Sequence, residues 1–220
     1  MFGEARIASS STRVHEAGGS APLTIEGGDV LVVSERLVVI GASERTSWAM
    51  IIRLATELLD QGIERVLVVE MPKQRSSMHL DTVFTLAHQD VGVVYLPLLE
   101  PGGPEEAKVL GIRRVNGHTV VDDLDMHLLH ALAGEGHPIQ AVHCGGGHPI
   151  HARREQWTDG ANYVALGPGV VVGYARNHRT AVAMGEAGFE ILSPQGYLAV
   201  LESDFGGDVD ALFADRKSVV

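Results

Sequence analysis

The chain has 220 residues, of which 45% are hydrophobic, and this predicts one compact domain with a sizeable core, or two small ones. Its formal net charge of −11 argues against a nucleic-acid partner or an anionic membrane surface and favours a small cationic ligand or a protein. No charged start precedes an apolar stretch and no apolar run could span a bilayer, so the sequence predicts a cytoplasmic protein.

The first predicted elements form a unit of strand, strand, helix and strand. Two apolar runs, residues 30–33 and 37–40, flank three polar residues and predict a hairpin. Ser47 can cap a helix whose apolar residues recur at helical spacing as far as Gly62. Residues 65–70 are strand-like again.

The same order recurs twice more along the chain, which predicts an internal structural repeat. The second copy comprises strands at 82–85 and 91–97, a helix at 124–133 and a strand at 139–143, with a Gly/Pro loop at 101–104 and a short apolar stretch near Thr119 as additions. The third copy comprises strands at 163–166 and 170–174, a helix at 180–187 and a strand at 189–192. Residues 1–20 and the residues from 216 onward are predicted to be loops or poorly ordered.

A polar cluster precedes or opens the hairpin in each copy. The clusters are Glu26-Gly27-Gly28-Asp29, His79-Leu80-Asp81 and Asp159-Gly160-Ala161-Asn162. Equivalent positions of a closed repeat would converge on one axis, which makes a shared site one interpretation of the clusters. The other is a set of half-buried strands with solvated polar residues, in which His79 and Asp81 share a face and Leu80 points to the core.

The acidic residues suggest what a shared site would bind. Glu26, Asp81 and either Asp29 or Asp159 would give a lining rich in hydrogen-bond acceptors. A guanidinium group presents five donors in a rigid plane, and carboxylates match that arrangement in a bidentate manner. The expected ligand is therefore a guanidino compound.

Two further residues complete the predicted site. His79 could move a proton, because an imidazole ordinarily titrates near neutral pH. Arg45, in the run Ser43-Glu44-Arg45-Thr46, could bind a carboxylate of the substrate.

Five segments of the chain stand out in order: Ile25-Glu26-Gly27-Gly28-Asp29-Val30, Gly41-Ala42-Ser43-Glu44-Arg45-Thr46-Ser47, Met78-His79-Leu80-Asp81-Thr82-Val83-Phe84, Arg154-Glu155-Gln156-Trp157-Thr158-Asp159-Gly160-Ala161-Asn162 and Tyr174-Ala175-Arg176-Asn177. In this order they resemble arginine deiminase, and the resemblance covers residues from about 20 to 192. It implies the guanidino-modifying superfamily and its α/β fold, the pentein or α/β-propeller, which repeats a strand-strand-helix-strand unit around a pseudo-fivefold axis.

The resemblance also implies roles for single residues. Glu26 and Asp81 match family residues that hold the guanidinium, His79 matches the general acid and base, and Arg45 matches a ligand of the substrate carboxylate. The implied reaction converts arginine and water to citrulline and ammonia in arginine catabolism. A cysteine thiolate attacks the guanidinium carbon, and no metal or organic cofactor takes part.

The chain departs from the family in length. Family members are roughly twice as long, and their first half supplies another guanidinium-binding aspartate. We therefore expect residues 21–205 to form an incomplete propeller, followed by a divergent tail at 206–220. Because an open propeller exposes strand edges, we expect a homo-oligomer or a complementary polypeptide that supplies the N-terminal half.

The nucleophile is the second departure. Gly206-Gly207 matches part of the family's run around its cysteine, but Asp210 stands where that cysteine would fall. Cys144 corresponds to a strand-end residue of the family and is expected to be structural. An alternative function is thus a protein that binds a guanidino ligand without converting it.

A metal-binding protein is the third interpretation. His137, His143, His148 and His151 crowd one stretch of a chain with eleven histidines, and imidazoles suit zinc, nickel or copper. Against it, the intervening glycines predict a flexible loop, and His148 and His151 lack the spacing of a catalytic zinc pair on a helix.

Overall fold

The fold is described from a computed structural model of the chain, for residues 6–7, 23–99, 101, 105–215 and 217–220. It is of the α/β class. The strands are β1 (Arg6–Ile7), β2 (Val30–Val32), β3 (Leu37–Ala42), β4 (Arg65–Glu70), β5 (Phe84–His88), β6 (Val91–Val94), β7 (Lys108–Val115), β8 (His118–Asp123), β9 (Gln140–His143), β10 (Val164–Gly167), β11 (Val170–Val172), β12 (Glu190–Ile191) and β13 (Ser218–Val219). The α-helices are α1 (Trp48–Asp60), α2 (Leu96–Leu99), α3 (Leu128–Gly134), α4 (Pro149–Gln156), α5 (His178–Glu186), α6 (Pro194–Phe205) and α7 (Val209–Asp215).

The chain divides into two compact units that interleave in sequence. The first unit comprises Met1–Leu80 and Leu98–Gly136, and the second comprises Asp81–Pro97 and His137–Val220. Each unit has a hydrophobic core of its own.

The first unit is built on a six-stranded sheet in the order β1-β8-β7-β4-β3-β2. β2 and β3 form an antiparallel hairpin, and β3 pairs with β4 in parallel. Strand β3, which lies next to the edge strand β2, is buried along its whole length, as its unbroken run of small and apolar residues requires. Helix α1 packs Ile51, Ala55 and Leu59 into the core beside this strand.

The second unit contains two sheets that begin in the same way. In the sheet β5-β6-β9, β5 and β6 are antiparallel and β6 pairs with β9 in parallel. In the sheet β10-β11-β13-β12, β10 and β11 are antiparallel, but β13 lies between β11 and β12 and is parallel to both. The third sheet therefore takes one strand from farther along the chain.

The predictions for residues 30–70 are confirmed. β2 and β3 form the expected hairpin, and β4 has the predicted bounds. The Ser47 hydroxyl accepts a hydrogen bond from the Met50 amide at the start of α1. Gly62 follows the helix with a φ of 109°, a conformation that glycine adopts without a steric penalty.

Other predictions were wrong in physically informative ways. The segment His79-Leu80-Asp81 is not an extended strand, because residues Leu80–Thr82 form a 3-10 turn and β5 starts only at Phe84. Leu80 is nevertheless buried, as expected, at 1% exposure. The predicted helix at 124–133 begins only at Leu128, since Asp125 has a φ of 47°.

Strands β1, β7 and β13 were not predicted, and Arg6 and Ile7 of β1 fall within residues 1–20, which were expected to be a loop. The stretch near Thr119 belongs to β8, and its partner β7 was missed although it spans eight residues. Residues from 216 onward were expected to be a loop, yet Ser218 and Val219 form the buried strand β13. Within the residues described, no helix has both the length and the apolar character needed to cross a membrane.

The cap of α1 gives the first testable prediction. Replacing Ser47 with alanine removes the acceptor at the start of a helix that lines the core of the first unit. We expect the free energy of unfolding to fall by about 1 kcal/mol, measured by urea denaturation.

Ser193→Ala is the matched control. Ser193 caps α6 through a 3.0 Å bond from the Gly196 amide, but α6 has no buried residue, so its loss should change the free energy of unfolding much less. Equal losses in the two variants would contradict the importance assigned to α1.

Candidate functional site

A buried carboxylate organises the polar residues of the first unit. Asp29 ends the 3-10 turn Gly27–Asp29 and has an exposure of 0%. Its Oδ2 accepts hydrogen bonds from Ser43 Oγ at 2.5 Å and Thr46 Oγ1 at 2.6 Å. Its Oδ1 accepts a hydrogen bond from the Leu80 amide at 2.9 Å. Three segments far apart in sequence are thus joined at one side chain.

The backbone around Asp29 is shaped to admit this carboxylate. A Cβ atom at Gly41 would lie 2.4 Å from Asp29 Oδ1, so a side chain at position 41 would clash with it. Burial raises the pKa of Asp29, while the bonds from Ser43, Thr46 and Leu80 and the nearby His79 act to lower it. The donors thereby offset part of the cost of burying an acid.

Asp29 was expected to be a substrate ligand, and its surroundings favour a supporting role. Its carboxylate faces inward and its oxygens are engaged with the chain's own donors. The physical reason is the absence of a side chain at Gly41, which leaves space for the acid inside the unit. Asp29 positions its neighbours instead of lining an accessible surface.

The loop that follows β3 is held from several sides. The Glu26 amide donates to Thr46 Oγ1 at 3.2 Å, and the Arg45 amide donates to Ser43 Oγ at 3.2 Å. Lys73 Nζ donates to the carbonyl oxygens of Ala42, at 3.3 Å, and of Ser43. These hydrogen bonds therefore hold in place the backbone of the loop that contains Arg45.

Glu26 and Arg45 contact each other in this unit. Arg45 Nη1 lies 3.6 Å from Glu26 Oε1, and the two side chains are 47% and 45% exposed. The other terminal nitrogen of Arg45 lies 3.4 Å from Met78 Sδ. The chain's own guanidinium is thus placed beside the carboxylate that was predicted to bind one.

His79 lies next to this group. It is half-buried, directly precedes the buried Leu80, and is near enough to Asp29 to favour the ionised carboxylate. The first unit therefore brings together Glu26, Arg45 and His79 around the hydrogen bonds of Asp29.

The two remaining predicted site residues belong to the second unit. Asp81 lies in the 3-10 turn Leu80–Thr82 and is half-buried, and its carbonyl oxygen accepts a hydrogen bond from Thr85 Oγ1. Asp159 has a φ of 62° and pairs with Arg176 at 3.2 Å. The Arg176 guanidinium also lies 4.1 Å from the centre of the Tyr174 ring, so Asp159 already has a cationic partner.

Cys144 has the surroundings of a structural thiol. It is buried, its Sγ accepts a bond from Thr180 Oγ1 at 3.8 Å, and it donates to the Ala152 carbonyl at 3.9 Å. Burial raises the pKa of Cys144 to about 12. Nucleophilic attack requires the thiolate, so this sulfur is poorly suited to act as a nucleophile.

The histidine-rich stretch does not form a metal site. The rings of His148 and His151 lie 4.8 Å apart, and His148 Nδ1 accepts a hydrogen bond from the Ile150 amide. Among the residues that the structure describes, no three His, Cys, Asp or Glu residues are grouped so that they could hold a metal ion.

Sequence reasoning missed the residues that hold the site in place. Ser43, Thr46 and Lys73 were not singled out, although all three bind the turn or loop that carries Glu26 and Arg45. A signal was available: small and hydroxyl residues follow directly after a buried strand, where an inward-facing acid needs donors.

The family model and the individual relatives that match this chain all carry the same description, arginine deiminase. A family model described as arginine deiminase matches residues 6–196. The chain is 37% identical over 181 residues to the arginine deiminase of Bacillus thuringiensis subsp. konkukian, which covers 76% of this chain and 42% of that protein. For the Listeria welshimeri arginine deiminase the identity is 36% over 177 residues, covering 80% and 43%. The chain thus spans less than half the length of the curated relatives it matches.

The role of Asp29 can be tested by stability. Asp29→Ala leaves the Leu80 amide and two hydroxyl groups without their acceptor, so we expect the free energy of unfolding to fall by about 3 kcal/mol. Asp29→Asn should cost clearly less, because an amide oxygen can still accept from Leu80 and the amide nitrogen can donate to the hydroxyl oxygens. Urea denaturation of both variants provides the comparison, and equal costs would contradict the proposed bonds.

The thiol gives a separate test. With its pKa raised to about 12, Cys144 should react with iodoacetamide at pH 8 about a thousandfold more slowly than an ordinary thiol. The rate can be followed by mass spectrometry, with the same chain in guanidinium chloride as the control. Rapid labelling of the folded protein would show that the thiol is accessible and ionised.

Proposed function

The chain belongs to the arginine deiminase family, and we propose that it binds the guanidinium group of arginine, or of a related compound, as part of an arginine deiminase-type hydrolase. The observation that carries the proposal is the contact between Glu26 and a guanidinium group, that of Arg45, beside His79. This ion pair, at 3.6 Å, supports the proposal because it places a guanidinium group beside the Glu26 carboxylate.

Each residue has a defined task in this proposal. Glu26 binds guanidinium N–H donors, and Asp81, by its match to the family motif, makes the same kind of contact. Arg45 releases Glu26 when the ligand arrives and binds its carboxylate. His79 donates a proton to the departing ammonia and then takes a proton from the water that completes hydrolysis.

The proposed reaction is the hydrolysis of a linear amidine. One C–N bond of the guanidinium is replaced by a C–O bond from water, which gives a ureido group and ammonia. In the family, a thiolate forms a covalent intermediate first. Cys144 does not fit that role because it is buried and its pKa is raised to about 12. Turnover by the family's mechanism therefore requires a nucleophile other than Cys144.

Membership of the family also leads to a proposal for the architecture of the complete protein. We place residues 21–205 in a partial α/β-propeller whose remaining units come from a second copy or from a complementary N-terminal half. The shared order of an antiparallel hairpin followed by a parallel strand in β2-β3-β4 and β5-β6-β9 supports this. A cytoplasmic location and a role in arginine catabolism belong to the proposal.

A second candidate function is binding without conversion. The specific observation that favours it is the burial of Cys144, the one cysteine of the sequence. In that case the Glu26 group would hold arginine reversibly and no citrulline would form. Both candidate functions include arginine binding, but only the hydrolase converts arginine to citrulline.

One experiment addresses both candidates. Isothermal titration with L-arginine should show saturable binding to the pure chain, and Glu26→Gln should weaken it at least tenfold, which corresponds to about 1.4 kcal/mol. Glu35→Gln is the matched control, since Glu35 is an exposed acid in the hairpin turn of the same unit. Failure of arginine to bind, or equal affinity in both variants, would overturn the proposal.

Citrulline is measured in the same samples. The pure chain should release none above background, and Cys144→Ala should bind arginine as the natural chain does. Citrulline formation that is lost in Cys144→Ala would contradict the structural role assigned to this thiol. Citrulline formation on adding a complementary polypeptide would favour the hydrolase over the simple binding protein.

A further inference from the structure

The sheet β10-β11-β13-β12 contains a slot that a distant strand fills. In the other two sheets, the second strand of the hairpin pairs directly with the following parallel strand. Here β11 and β12 are separated, and β13 pairs with both of them in parallel. The position between β11 and β12 is therefore an acceptor site for one extended segment.

The inserted strand is bound on both sides by backbone hydrogen bonds. Toward β11, the Ser218 amide donates to the Gly169 carbonyl at 2.7 Å, the Val220 amide donates to Val171 at 2.9 Å, and Gly173 donates to Val220 at 3.0 Å. Toward β12, Glu190 donates to Lys217 at 2.7 Å and Leu192 donates to Val219 at 2.8 Å. An empty slot would leave these groups unpaired, at a substantial cost.

Side chains add affinity to this pairing. Ser218 is 0% and Val219 is 5% exposed, and Val219 belongs to the core cluster that includes Val171 and Phe189. Lys217 Nζ lies 3.6 Å from Asp90 Oδ1. The slot thus recognises a short segment with a cation followed by a small and an apolar residue.

The preceding helix α7 docks on the same sheet. Leu212 is fully buried, and the Phe213 ring lies against Gly167 of β10, where an added Cβ would come within 2.5 Å of the ring. α7 and β13 therefore act as one docking segment, with anchors in a helix and in a strand.

The connection to this segment, helix α6 and the two glycines after it, is weakly packed. Helix α6 has no buried residue, and Leu198 is 60% exposed on it. A helix of twelve residues gains little stability in water without a packed face. Gly206 and Gly207 join α6 to α7 with φ values of 58° and 86°, and glycine changes such conformations at low cost.

The match to the arginine deiminase model ends at residue 196, before the docking segment begins. Every contact that holds α7 and β13 could be made equally by the same segment of another molecule.

We propose that α7 and β13 are exchanged between two copies of the chain, so that each copy fills the slot between β11 and β12 of its partner. The exchange keeps all native contacts and lets a second copy cover the exposed α6. Short hinge loops favour such exchange, and only residues 206–208 separate α6 from α7. The proposal does not depend on the ligand of the Glu26 group.

A pair of cysteines distinguishes exchange from insertion within one chain. In a Cys144→Ala background, Glu190→Cys and Ser218→Cys place thiols on paired residues of β12 and β13, within the range that a disulfide spans. After oxidation, a denaturing gel without reductant should show a covalent dimer as the main band. A covalent monomer as the main band would overturn the proposal, as would two free thiols per chain.

A matched control uses strands that are not exchanged. Val91→Cys and Gln140→Cys lie on paired residues of β6 and β9 and should give a covalent monomer in the same background. If the Ser218 variant fails to fold, Ile191→Cys and Val219→Cys provide a second pair on the same two strands, with the same two outcomes.

Discussion

The arrangement of the first unit depends on the hydrogen bonds of one buried acid. Asp29 joins the turn that carries Glu26, the loop that carries Arg45, and the segment that carries His79. A buried carboxylate is costly unless donors surround it, so these three segments cannot move apart independently. The position of the exposed Glu26 carboxylate thus depends on Asp29, a side chain that solvent does not reach.

Local sequence signals were enough to predict the elements around this acid. The buried strand β3, the capped helix α1 and the strand β4 each have a continuous pattern of apolar residues or a clear terminal residue. The 3-10 turn at Leu80–Thr82 was mistaken for a strand, because one buried residue between two polar ones fits both conformations. Strand β13 was missed because its stability comes from partners on β11 and β12, which a local pattern does not reveal.

The site was predicted less completely than the fold. Glu26, Arg45 and His79 are close together in one unit, but the inward direction of Asp29 depends on the space above Gly41 and on the donors Ser43 and Thr46. Neither can be deduced from the spacing of charges. The pattern of acidic clusters pointed to Asp29 without distinguishing a ligand from a support, and that distinction rests on its burial and its hydrogen-bond partners.

The central claim is that Glu26 exchanges the Arg45 guanidinium for that of a ligand, and NMR can observe this exchange directly. In protein labelled with ¹⁵N at its arginine side chains, the Nε–H signal of Arg45 can be assigned by its loss in Arg45→Lys. Titration with L-arginine should shift this signal saturably, and Glu26→Gln should abolish the shift. An Arg45 signal that does not respond while arginine binds elsewhere would contradict the account.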